Sequence, residues 1–274
     1  ASALTVSEEG GEIRVTHERF EVRASRQTGA VAIRDHQGRL LAEGLYPHVG
    51  RKYTMAEELR AKPSPLSIWQ GAFLKNPADP QVEVTRAADG VKLTVRGKYS
   101  RPAAPDQSLT GEYSLFITNR GAIEVAYNYV PAKATGTFLE AGLSLVVPAA
   151  SEFRWIGQGP YAGYPGKDRL NEFGLHHLNR EDLNFQGNRR EVELAVLSAA
   201  SGAGIALAGE RLDVAVETSP GGVILSHNAL ISSRGNKGSS PESSVNSAAV
   251  KQITGKFTLL PLDTAWPSLL TQGF

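Results

Sequence analysis

The 274-residue sequence contains no cysteine. That excludes disulfides, thiolate metal sites and cysteine nucleophiles, and it leaves the compartment undefined. Charge of one sign is also missing: 29 Lys+Arg against 28 Asp+Glu leave a net charge of +1. Without a basic face, neither a nucleic acid nor an acidic membrane is an expected partner. No run approaches the roughly 18 apolar residues that a membrane-spanning helix needs. The opening Ala1-Ser2-Ala3-Leu4 lacks the basic and apolar regions of a secretory signal and reads as the start of a mature or excised chain.

Turn formers are abundant. The 28 glycines and 15 prolines make 43 of 274 residues, about 16% against an average near 12%. Between them the hydrophobic pattern has period 2. Ile13 and Val15, then Phe20 and Val22, alternate with charged residues, as half-buried strands require. Val82 and Val84 face Val91, Leu93 and Val95 across Ala88-Asp89-Gly90, which predicts a hairpin. A second hairpin is predicted over 113–129 around Asn119-Arg120-Gly121, and a third over 191–207 around Ser201-Gly202. Segments 30–34, 212–216, 223–225 and 257–260 supply further strands. Short helices are expected only at 53–61 and 169–178. Segments 61–80 and 101–107 read as irregular connections, and 234–244 as a long polar loop, functional or mobile. The fold class expected is all-β, one sandwich domain over 1–274 with its core at about 13–262.

Candidate chemistry concentrates at 155–169, Trp-Ile-Gly-Gln-Gly-Pro-Tyr-Ala-Gly-Tyr-Pro-Gly-Lys-Asp-Arg. Aromatic faces stack on sugar rings, Asp and Arg hydrogen-bond hydroxyls, and glycine lets backbone approach a ligand closely. The same residues also suit a core Trp155 followed by a tight loop, with Asp168–Arg169 as a structural ion pair. His176-His177 is the one adjacent histidine pair, but successive side chains diverge and no third ligand is spaced for a metal, so none is expected. His227, next to the polar loop, is either a ligand contact or a structural histidine. Asn171-Glu172 lacks the strand-end setting of a barrel hydrolase, and no strand–helix alternation occurs. No G-x-S-x-G elbow, P-loop or dinucleotide loop occurs, and no cofactor is expected.

Segment 155–169 resembles the signature W-x-G-x-G-P-x-E-x-Y-x-D-R of the C-terminal, small-chain domain of the large β-galactosidases. Trp155, Gly157, Gly159, Pro160, Tyr164, Asp168 and Arg169 match, with Gly166-Lys167 inserted. The lead-in 142–148, the turn at Gly187-Asn188-Arg189, the Leu225-Ser226-His227 strand and the opening at 20–41 are similar to the family as well. The resemblance implies a β-supersandwich of the galactose mutarotase-like type. It implies a domain that completes the aglycone side of an active site whose catalytic carboxylates lie in a separate barrel. Implied partners are a galactoside-like carbohydrate and the barrel domain or subunit, with a homo-oligomer left open. No residue of this chain is then catalytic. Sugar contacts are expected from Tyr161, Tyr164, Asp168, Arg189 and His227, with Trp155, Gly157, Gly159, Pro160 and Arg169 as the structural motif. Two positions depart from the family: its glutamate falls at Ala162, and the late loop carries no aromatic at 235–241. A stand-alone aldose 1-epimerase, drawing on His176, His177 or His227 with Glu172 or Glu242, is the alternative. An interaction domain without a ligand is the second alternative.

Overall fold

The computed structural model describes residues 3–50, 68–69, 74–102, 104–132, 137–166, 168–184, 187–232, 245–246 and 250–263. A first antiparallel meander comprises β1 (Thr5–Glu9), β2 (Glu12–Thr16), β3 (Phe20–Ser25), β4 (Val31–Asp35) and β5 (Leu40–Val49). After the short β6 (Ile68–Trp69), a second meander runs through β7 (Ala78–Arg86), β8 (Gly90–Arg101), β9 (Ala104–Thr118) and β10 (Ile123–Pro131). The short β11 (Thr137–Phe138) leads into β12 (Glu140–Val147), β13 (Glu152–Gly159) and β14 (Glu172–Asn179). A single 3-10 turn, Asp182–Asn184, precedes β15 (Gly187–Ser198), β16 (Gly204–Ser219) and β17 (Gly222–Ile231). The short β18 (Val245–Asn246) and then β19 (Ile253–Leu262) follow.

The two meanders are joined through central strands in the order β1-β2-β3-β4-β5-β12-β17-β16-β19-β10-β9-β8-β7. β16 makes this possible because it is sixteen residues long. β15 pairs along both halves of it, while its first half, Gly204–Ala208, also pairs with β19 and its second half, Asp213–Ser219, with β17. Register shifts at Arg189/Val192 and Val192/Leu194 separate the halves, with Glu191 and Arg211 at positive φ beside them. Such bulges bend a strand and raise its twist, which lets one strand serve two layers. β13 and β14 extend the sheet from β15. The result is an all-β supersandwich.

The core follows from alternation. Val91, Leu93 and Val95 on β8 lie opposite Ile117, Leu115 and Tyr113 on β9, which lie opposite Ile123, Val125 and Tyr127 on β10, all buried. Successive side chains point to opposite faces, so each of these rows is continuous from strand to strand. β12 is buried along its whole length, as a strand covered on both faces must be.

The three hairpins form where the turn residues place them, with Gly121 and Gly202 at φ +85°. The expected helix at 169–178 is instead strand β14, paired with β13 along all eight of its residues. Gly174 weakens a helix there, and the alternation from Phe173 to Leu178 suits a strand packed on one side. Segment 101–107 is largely strand, the close of β8 and the start of β9, with a bulge at Arg101. Segment 212–216 belongs to β16 rather than forming a strand of its own. The helix expected at 53–61 and the polar loop at 234–244 lie outside the described residues, as does most of the irregular stretch at 61–80.

Candidate functional site

The loop after β13 is built on Trp155. Its ring is fully buried, its indole N–H donates to the Gln158 carbonyl at 3.0 Å, and Phe153 stacks on it at 5.0 Å. His176 covers the ring from β14 at 5.1 Å, and the Arg189 guanidinium lies 5.0 Å from its centroid. The motif glycines are there for space. A Cβ on Gly157 would come within 2.8 Å of the Val192 Cα, and one on Gly159 within 2.6 Å of the His176 ring and 2.7 Å of Trp155. Pro160 follows Gly159 through a cis peptide.

Beyond Pro160 the five expected sugar contacts separate. Tyr161 is 62% exposed, and its backbone N–H donates to Asn171 Oδ1 at 2.9 Å. Tyr164 is buried, and its hydroxyl accepts from the Asn188 N–H at 3.2 Å. Asp168 pairs with Arg190 at 2.8 Å, so its ion partner is Arg190 rather than the neighbouring Arg169, which is exposed. Arg189 is buried on Trp155, and its guanidinium donates to the Gly187 and Asn188 carbonyls. His227 is buried on the core side of β17, its Nδ1 2.8 Å from the Tyr127 hydroxyl and its ring 5.1 Å from Phe257. The structure therefore brings Tyr164 and Asp168 to the Asn188–Arg190 stretch, leaves Tyr161 exposed at the base of the loop, and sets Arg189 and His227 in the interior.

The side chains next in sequence to Arg189 and His227 point the other way, and they meet. Tyr46 and His48 on β5, Ser144 on β12, Ser226 and Asn228 on β17, Asp213 on β16 and Asn188 on β15 occupy one face of five adjacent strands. Ser144 Oγ lies 2.7 Å from Ser226 Oγ and 2.9 Å from His48 Nδ1, and His48 Nε2 lies 2.7 Å from Asn228 Oδ1. The Asn228 amide nitrogen donates to Glu140 Oε2 and to Asn188 Oδ1, each at 3.0 Å. The Asn188 amide nitrogen donates to Asp213 Oδ1 at 2.8 Å and to the Gly163 carbonyl at 3.2 Å. Arg190 then spans Asp213, at 3.5 Å, and Asp168.

This chain of bonds assigns protons. Glu140 and Asn188 Oδ1 are acceptors, so Asn228 turns its nitrogen toward them and its oxygen toward His48. His48 must then donate from Nε2, which leaves Nδ1 to accept from the Ser144 hydroxyl. Burial lowers the pKa of His48 to about 4, against the opposing pull of Asn228, so the ring is neutral at pH 7. Burial, and then His48, lower His227 to about 4 as well. Desolvation raises Asp213, opposed by Asn188 and Arg190, and burial followed by Glu217 pushes Tyr46 up to about 12. The row offers neutral donors and acceptors backed by buried carboxylates. Ser144, Asn188, Ser226 and Asn228 are buried and bonded within the row, whereas Asp213 and Asp168 at its loop end stay partly exposed and can accept hydrogen bonds from a ligand.

Among the described residues, no group of three or more His, Asp or Glu side chains is arranged to hold a metal. His176 points inward onto Trp155, whereas His177 points out, its Nε2 3.3 Å from Glu152. His48, Glu140, Ser144, Asn188, Ser226 and Asn228 escaped the reading of the sequence. The available signal was polar residues recurring at every second position inside strands that are otherwise apolar, as Ser226 and Asn228 do.

The fold and the row define an antiparallel β-supersandwich domain with a polar face closed at one end by a glycine–tryptophan loop. Residues 16–230 match the β-galactosidase small-chain family, and the chain belongs to that family. No curated protein matches it in sequence. Among solved structures it is similar to the GalM/aldose epimerase homologue from C. elegans, with 7% identity, 95% of this chain and 98% of that one covered, and a TM-score of 0.44. It is also similar to the mutarotase-like YeaD of Salmonella typhimurium, with 12% identity, coverages of 94% and 96%, and a TM-score of 0.38.

Proposed function

We propose that this chain is an accessory, sugar-facing domain or small subunit of a β-galactosidase-type glycoside hydrolase. It folds as one unit, completes the aglycone side of the active site, and leaves the nucleophile and acid/base to a separate catalytic barrel. Membership of the small-chain family over residues 16–230 carries this reading. The exposed Tyr161 and the partly exposed Asp168 and Asp213 at the loop end of the row support it by supplying contacts for hydroxyl groups.

On this reading Tyr161, Asp168 and Asp213 touch a galactoside-like sugar. Tyr164, Arg189 and His227 support the site from behind, and Trp155 with its glycines shapes the loop. The carboxylates nearest the row are already engaged, Glu140 by Asn228 and Asp213 by Asn188 and Arg190. Hydrolysis needs two free carboxyl groups across one bond, about 5–5.5 or 6.5–9.5 Å apart. Turnover by this chain alone is therefore not expected.

Proton NMR of galactose and lactose with and without the chain tests the proposal. Line broadening without anomeric exchange or cleavage supports it. Accelerated anomeric exchange would instead make the chain an epimerase, and unchanged spectra would remove the sugar contact.

A further inference from the structure

Among the described residues six large apolar side chains are strongly exposed, and four of them fall between positions 161 and 175. They are Tyr161, Leu170 at 81%, Phe173 at 54% and Leu175 at 58%. Isolated exposed apolar residues are ordinary, but a cluster of them marks an interaction surface. This cluster lies on the β13–β14 hairpin, which projects past its neighbour: β15 pairs with β13 only from Glu152 to Ile156, while β14 follows it to Gly159. Asn171 and Arg190 pin the connecting loop through Tyr161 and Asp168, so the surface is presented in one shape.

β14 is also an open edge, with β13 its one partner among the described strands. Long edges are usually protected by lysine, proline or a bulge. β14 has neither lysine nor proline, and its ladder with β13 shows no register shift. Phe173, Leu175 and His177 alternate on the exposed face, while Glu172, Gly174, His176 and Leu178 lie on the other.

We propose that β14 is a self-association edge, which pairs antiparallel with β14 of a second copy about a two-fold axis at Gly174. In that register Phe173 lies opposite Leu175 of the second copy, and the axis repeats the pair. Glu172 lies opposite His176, whose ring is turned onto Trp155 and leaves room for the second copy's carboxylate. Pairs of an aromatic with another apolar side chain are among the cross-strand combinations that stabilise antiparallel ladders. An axis at Leu175 would instead set Phe173 against His177 and Glu172 against Leu178, mismatching both faces. Complementarity of the strand with itself is what favours a second copy over an unrelated partner.

Sedimentation velocity across the micromolar range tests the proposal on the intact chain. The expected result is a doubling of mass with rising concentration. Leu175→Lys should abolish it at unchanged circular dichroism, because the side chain is exposed. Combining Phe173→Glu with Leu175→Lys should restore it, because the introduced carboxylate of one copy would then face the introduced ammonium of the other. In wild type, amide exchange along β14 should slow as concentration rises. A chain that stays monomeric overturns the proposal and leaves the edge for a different partner. A dimer that survives Leu175→Lys, or β14 amides whose exchange ignores concentration, overturns it equally.

Discussion

Asn228 and Asn188, on strands that flank β16, meet above Asp213: the amide nitrogen of Asn228 donates to Oδ1 of Asn188 at 3.0 Å, and Asn188 passes its own nitrogen to Asp213 at 2.8 Å. Forty residues apart in sequence, these two side chains join the His48 end of the row to the loop that follows Trp155. Buried amides of this kind are tolerated because each donor and acceptor is used.

Removing that junction should be costly. Asn228→Ala removes one hydrogen-bond partner from each of His48, Glu140 and Asn188 at once, and an expected loss of about 2–4 kcal/mol follows from buried polar groups losing their bonds. Urea unfolding with an unchanged m-value would measure it. A loss within experimental error would mean that water replaces the amide without penalty.

The two buried histidines set a direction for pH. Their folded pKa values near 4 lie below the unfolded value of 6.5, so between these pH values the unfolded chain binds more protons. Stability is therefore complete above pH 6.5 and falls as pH drops toward 4, by up to about 1.4 kcal/mol per pH unit for each histidine. His17, lowered by burial and then by Arg19, acts in the same sense. Replacing His227 with Phe should flatten the profile by one proton. In nitrogen-15 spectra at pH 7 His48 should appear as the neutral Nε2–H tautomer, and an imidazolium signal would contradict the bond assignment.

Gly159 is predicted to be a packing position. Gly159→Ala would drive a methyl into His176 and Trp155, at an overpacking cost of about 1–3 kcal/mol. Truncating His176 to Ala should relieve part of that cost, so a double-mutant cycle on the pair should show coupling. Strict additivity would show that the loop yields elsewhere.

Arg190 should matter more for order than for stability. Its ion pairs with Asp168 and Asp213 are partly exposed, so Arg190→Ala should cost no more than about 1 kcal/mol. Amide exchange at Tyr161, Gly163 and Asn171 should nonetheless accelerate. Unchanged exchange there would show that the Asn188 bonds alone hold the loop.

Most of the fold was legible because period-2 alternation and glycine turns are local signals. Val91 to Val95, the Asn119–Gly121 turn and the Ser201-Gly202 turn all sit where their own residues place them. β14 was misread because its inward contacts, Gly174 against Gly157 and His176 over Trp155, come from another strand. The polar row was legible only in part. Arg189 and His227 were singled out, whereas the row uses Asn188 and Asn228, because strand phase depends on which face each sheet buries and a single step exchanges the faces. His48 and Glu140 carried no local signal, since their roles arise from β5 and β12 lying side by side.

Saturation-transfer difference NMR on lactose with the isolated chain tests the central claim most directly. An aglycone-side accessory surface predicts transfer strongest at the glucose ring, no new product resonances, and loss of transfer in Asp213→Ala. Transfer confined to the galactose ring, or none at either ring from a folded chain, would contradict it.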